Sequence, residues 1–229
     1  MISEFIDFLK FESRFGLRVF IIDLIAINKL YFRKIYLDKL LNLAAKDNLK
    51  FTFFVRSYNL KNKKYLIKNL KKGGHEIASH GHSHVLYNNK SKFWIQNELK
   101  KSQKEFKKMD INVKGFRSPF LSENKLLYDV LDELKFTYSS NRFKKNKIKT
   151  KIKQAYMIYP SDWHGLIVEN WSIEKIIKSW KDQKGTLALH PWIFVKHYNK
   201  LKSIIGSQKD LTIINNLKKE NLKISFDVY

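Results

Sequence analysis

The chain has 229 residues, enough to bury one large core, and no cysteine, so disulfides and thiolate metal sites are excluded and any metal must be held by His, Asp or Glu. Lys and Arg number 45 against 21 Asp and Glu, a formal charge of +24 that draws anions such as nucleic acid, anionic lipid or acidic glycan. The lysines are spread along the chain, and no groove-entering motif accompanies them, so this basic protein is expected to adhere to polyanions in a salt-sensitive way and to bind no specific nucleic acid sequence.

The opening stretch MISEFIDFLKFES lacks a basic region and a small-residue cleavage site, which predicts a cytoplasmic protein without a signal peptide. Residues 1–15 read as an extension ahead of one domain spanning 1–229. The apolar run LRVFIIDLIAI is too short to cross a bilayer and is read as a first strand ending near Asp23; a peripheral contact with the anionic inner membrane surface fits the charge. Helix-periodic residues Leu40, Leu41, Ala44 and Ala45 follow, then the strand-like run KFTFFV.

GHEIASHGHSH, residues 74–84, carries four of the seven histidines. It fails the H-E-x-x-H zinc-protease pattern by one residue, because Ser79 stands where the second histidine belongs. His80 and His84 have i, i+4 spacing, which on a helical turn places two imidazoles on one face, about 5–6 Å apart at Cβ. A helix carrying Ile95, Leu99, Phe106 and Met109 comes next, followed by VKGF, a helix with Leu127, Val130, Leu131 and Leu134, and KFTY. The dense basic stretch 142–153 reads as a solvated loop. After it come AYMIY, a helix with Ile173, Ile176, Ile177 and Trp180, TLAL, a helix with Ile213, Ile214 and Leu217, and LKISF. Strand and helix alternate, which predicts a parallel sheet covered by helices, open or closed into a barrel.

Polar residues recur just past the strand-like runs: Asp23, Arg117, Asp162 and His190, with Asp227 near the end of the last one. In a parallel α/β barrel all carboxyl strand ends open on one face, so these residues and the histidine pair are expected to meet there. If the sheet curls toward closure, Asp227 approaches the rim that holds Asp23.

On these residues the chain resembles the polysaccharide deacetylase superfamily. LDKLLNLAAKDNLKFTFFV resembles its early helix and strand, LIKNLKKGGHEIASHGHSH its histidine motif, GFRSPF its Arg-x-Pro-aromatic motif, DWHG its Asp-Trp motif and LALH its Leu-x-Leu-His motif. The resemblance implies an irregular (β/α) barrel of deacetylase type. It implies a metal-dependent carbon–nitrogen hydrolase, not acting on peptide bonds, that removes N-acetyl groups from an amino-sugar glycan or lipid-linked sugar in carbohydrate metabolism. One divalent ion, zinc or alternatively cobalt or nickel, would be bound by Asp23, His80 and His84. His190 would be the general acid, with Arg117 and Asp162 paired to orient the base, and Pro119, Phe120, Trp163, Leu187 and Leu189 would line the pocket. The departure lies in the first motif, usually Thr-Phe-Asp-Asp-Gly. Here Phe20-Ile21-Ile22-Asp23-Leu24 offers one carboxylate for two roles. With Asp23 as ligand, Ile22 occupies the place of the base; with Asp23 as base, the metal keeps two histidines. The first alignment is preferred because two neutral imidazoles alone hold hard divalent ions weakly. Asp227 is then a substitute base from another strand. The alternative is a catalytically inactive protein of the same fold that binds an acidic glycan or other polyanion.

Overall fold

The computed structural model describes residues 6, 7, 9, 16, 17, 21, 31–143, 148–181, 183–205, 214 and 223–228. Helix α1 (Tyr31–Lys46) leads into β1 (Thr52–Val55), and α2 (Lys64–Lys72) into β2 (Glu76–Ser79). Helix α3 (Lys92–Lys107) precedes β3 (Gly115–Phe116), and α4 (Lys125–Glu133) precedes β4 (Tyr138–Ser139) and β5 (Lys153–Gln154). A π-helical turn (His164–Val168) and α5 (Ile173–Trp180) lead to β6 (Thr186–Leu189); α6 (Pro191–Lys196), α7 (Tyr198–Ile205) and β7 (Lys223–Val228) follow. Three of the helices, α3, α4 and α5, begin where short polar side chains cap them: Ser91, Asn124 and Ser172 accept from the backbone N–H of Trp94, Leu127 and Lys175.

The strands pair in parallel in the order β5-β4-β3-β2-β1-β7-β6, so the last strand lies between β1 and β6. The sheet curls until its edges meet. Past β5, the Ala155 N–H donates to the Ser139 carbonyl on the β4 side, while Ile158 N–H donates to Thr186 O and Thr186 N–H to Tyr156 O on the β6 side, each at 2.8–2.9 Å. This is the expected irregular (β/α) barrel, with AYMIY reduced to an isolated bridge at Met157.

Alternation along each strand separates two environments. Facing the helices, Phe51, Phe53, Phe194 and Phe226 cross at centroid distances of 5.2–6.5 Å and belong to the main core. Burying each such ring contributes roughly 1.5–3 kcal/mol. Inside the barrel, Phe54, Ala78, Tyr138, Ala155 and Ile214 form a second, smaller cluster. It is floored by polar groups: Thr52 Oγ1 donates to Glu76 Oε2 (2.6 Å) and Tyr138 Oη to Glu76 Oε1 (2.8 Å).

One expected strand is corrected. Leu17 and Ile21, in the run LRVFII, lie in helical backbone, and the run's other residues, with Asp23, lie outside the described residues. Nearly all of the expected 1–15 extension also lies outside them. Asp7 within it is buried and accepts from the Leu86 N–H at 3.0 Å. Among the described residues no helix is long and apolar enough to cross a membrane.

Candidate active site

Because every strand is parallel, the residues following them share one rim. On β2 the His80 N–H continues the ladder to Val55 O (3.0 Å), after which Gly81 adopts φ +77°. A Cβ there would lie 2.5 Å from Tyr87 Oη, so glycine alone fits without displacement. His80 and His84 therefore sit on a bent loop and not on the expected helical turn. Their rings still approach, with centroids 5.4 Å apart and planes inclined by 46°.

His80 is 1% exposed, and its Nδ1 lies 2.9 Å from the Arg117 carbonyl. A carbonyl only accepts, so Nδ1 carries the hydrogen and Nε2 keeps the lone pair. Burial pushes the His80 pKa down to about 4; the Asp227 carboxylate pulls it up, the Arg117 and Arg56 cations push it further down, and the bond to the carbonyl raises it. The ring is neutral near pH 7. His84 packs its ring edge-on against Phe120, with centroids 4.4 Å apart. Two imidazole nitrogen donors suit zinc, cobalt or nickel. Among the described residues no third His, Cys, Asp or Glu joins them, and Asp23 and Ile22 lie outside those residues.

Arg117, fully buried after β3, spreads its guanidinium over the barrel interior. Nε donates to Ser140 O, Nη2 to Ser140 Oγ and Ser225 Oγ, and Nη1 to Asp227 Oδ1, all at 2.9 Å. The Phe54 ring lies under its cation at 4.2 Å. Burial pushes the Asp227 pKa up, but Arg117, His80 and His190 outweigh it, and the carboxyl titrates below its ordinary range. Its side chain remains 22% exposed, so the carboxylate is both anchored and reachable.

The second pair joins Asp162 and His190. Asp162 Oδ1 accepts from the Trp163 N–H (2.7 Å) and contacts His190 Nδ1 (2.9 Å), and Oδ2 accepts from the His190 N–H. Asp162 is fully buried, whereas the His190 side chain is 34% exposed. The expected Arg117–Asp162 pair does not form: Arg117 pairs with Asp227 and Asp162 with His190. The strand order explains the exchange, since β7 beside β1 brings Asp227 within reach of Arg117, while Asp162 meets the end of β6.

A sequence profile for polysaccharide deacetylases matches residues 30–139. The chain also overlays a family 4 carbohydrate esterase pseudoenzyme from Bacillus anthracis (TM-score 0.62, 13% identity, 86% of this chain and 66% of that one). The profile match covers just under half of the chain, and the structural likeness shows a shared fold. A family 4 acetyl xylan esterase from Clostridium thermocellum, crystallised with a cobalt ion, shares the fold with TM-score 0.61 at 16% identity, over 83% of this chain and 92% of that one. An uncharacterized protein of Bacillus subtilis, YlxY, is 29% identical over 99 residues, covering 43% of this chain; the chain spans 31% of that relative's length.

Within this barrel the expected pocket residues divide. Pro119 is buried, Phe120 adopts φ +55° against His84, and Trp163 is half-buried with its ring 5.1 Å from His164. Leu187 and Leu189 are corrected. They lie in register with Ile224 and Phe226 and belong to the helix-side core, whereas Ala188, opposite Ser225, shares the face of Asp227. The sequence reading also missed Ser140 and Ser225, the neutral acceptors for Arg117, and Glu98 on α3. Glu98 carried a usable signal: a charged residue on the apolar stripe of Ile95, Leu99 and Phe106, buried to 8% exposure. In the basic stretch, Lys149, Lys151 and Lys153 are exposed as expected, Arg142 pairs with Glu123, and 144–147 lie outside the described residues.

Proposed function

We propose that the chain is a metal-dependent hydrolase that removes N-acetyl groups from an amino-sugar glycan, free or carried on a lipid. The observation that supports this reading is the presence of two oppositely suited proton carriers on one rim, Asp227 held by Arg117 and His190 held by Asp162, with the neutral His80 ring electrostatically coupled to the first. A zinc, cobalt or nickel ion held by His80, His84 and Asp23 would supply Lewis-acid polarisation of the acyl oxygen and lower the pKa of water.

The protein groups divide the proton transfers. Asp227 has Oδ1 committed to Arg117, and Oδ2 takes the proton from the attacking water. Arg117 keeps that carboxylate ionised and fixes its direction. His190 has Nδ1 tied to Asp162, so Nε2 is the atom that delivers a proton to the departing nitrogen. An amide nitrogen must be protonated to leave, and a histidine acid braced by a buried carboxylate fits an N-acetyl substrate for that reason. Ser225 and Ser140 orient the base through Arg117 without adding charge.

The second reading is an inactive member that binds an acidic glycan or other polyanion at an anionic membrane surface or elsewhere. Ile22 in the place of the usual base and the net charge of +24 favour it. The test is acetate release from N-acetylglucosamine oligomers by protein supplied with zinc or cobalt, with metal content measured on the same sample. Release that depends on metal supports the hydrolase; glycan binding by metal-loaded protein without acetate release supports the second reading.

A further inference from the structure

We infer that Glu98 is a positioning residue for the His80–His84 pair, clamping the loop between the rings so that both face one divalent ion; this rests on the metal reading proposed above. Outside a helix, i, i+4 spacing fixes no geometry, so something else must hold the two imidazoles in place. Three residues separate them, and the backbone N–H of each is held by a side chain. Gly81 N–H donates to Ser79 Oγ at 3.1 Å, His82 N–H to Glu98 Oε1 at 3.1 Å, and Ser83 N–H to the same Glu98 oxygen. Ser83 Oγ adds a contact to Glu98 Oε2 at 3.4 Å.

The same brace continues along α3, where buried Ser102 reaches Ser79 Oγ at 3.0 Å. Glu98 and Ser102 are the two polar residues among the buried ones of that helix, and both are spent on residues 79–83. Placing a carboxylate in that apolar stripe costs free energy unless its oxygens are bonded, and here the compensating donors come from the histidine loop. The middle histidine turns away: His82 Nδ1 lies 3.0 Å from Ser57 Oγ and its ring packs on Tyr58. The brace thus keeps His82 off the pair while His80 and His84 converge. Groups that orient metal ligands typically contribute about 10–100-fold in metal affinity.

The experiment measures zinc affinity by competition with a chromophoric chelator, and hydrogen exchange of the His82 and Ser83 amides in metal-free protein, for wild type, Glu98→Ala and Glu98→Gln. Glu98→Ala is expected to weaken zinc about tenfold or more and to speed both amides. Glu98→Gln keeps Oε1 as the acceptor and is expected to restore most of both properties, which a role through charge alone would not allow. Folded Glu98→Ala with wild-type zinc affinity overturns the positioning role and leaves the metal reading standing. Wild type that binds no stoichiometric zinc overturns the metal reading and this role with it. Should Glu98→Ala fail to fold, Ser102→Ala, which cuts one end of the brace, is expected to weaken zinc in the same direction, and unchanged affinity there overturns the inference.

Discussion

The same strands present two unlike faces. Toward the helices, Phe53, Leu189 and Phe226 pack with Phe51 and Phe194 in a layer of rings and aliphatic chains; toward the barrel interior, Thr52 bonds Glu76 at the floor while Ser225 and Asp227 hold one buried arginine. The outer face secures the fold by burial and accepts any side chain of similar volume. The inner face is specified atom by atom, because each polar group inside it must find a partner. Substitutions should therefore separate stability from chemistry according to the parity of the residue changed.

The largest expected effect falls on the inner face. Asp227→Asn keeps an oxygen for Arg117 but removes the proton acceptor and the charge partner of a buried cation, so acetate release should fall by about 10²–10⁴-fold with metal content near wild type and a lowered Tm. Equal rates in the two proteins would break the division between faces at its most important point. Next is Phe226→Ala, one strand position away and on the opposite face. It should cost about 3–5 kcal/mol in urea unfolding while leaving the pKa governing catalysis unmoved in whatever protein remains folded.

A pH titration of the metal-free protein sharpens the comparison. Burial, with Lys50 nearby, pushes His75 down to about 4, and His80 is also held at about 4 chiefly by burial. Both lie below the value of 6.5 expected in the unfolded chain, so the unfolded state binds more protons between these limits. Stability should be fully present above about pH 6.5 and decline as pH falls toward 4, read as a falling Tm. His75 adds a specific reason, since its Nδ1 accepts from the Phe51 N–H at 3.2 Å and protonation removes that acceptor. The smallest effect expected is that of Tyr138→Phe, which deletes the hydroxyl donor to Glu76 and should cost about 1–3 kcal/mol by leaving a buried acceptor short of a partner.

The fold was legible because two periodicities alternate along most of the chain, and each strand-end polar residue could be assigned to one rim before any contact was known. Asp227 was reachable by the same logic: a curling sheet brings its last strand inward. What the pattern could not supply was partnership. Arg117 and Asp227 are 110 residues apart, and only the insertion of β7 beside β1 joins them. LRVFII read as a strand because a short apolar run has no period that separates strand from helix, yet Leu17 and Ile21 lie in helical backbone. In TLAL, either parity of the alternation could have faced the interior. The register with β7 decides it, putting small Ala188 inside and Leu187 and Leu189 outside.

The position of β7 also bears on the order in which the protein can assemble during translation. Residue 52 pairs with residue 225, so β1 and β6 have no shared neighbour until the segment carrying β7 has left the ribosome. Non-local pairing of this kind is slow and leaves strand edges exposed while it is awaited. The carboxylate assigned to proton abstraction arrives in that same segment, and Arg117 waits for it as an uncompensated cation. A nascent chain is therefore unsealed, with its barrel arginine lacking the Asp227 carboxylate, until that one strand joins β1 to β6.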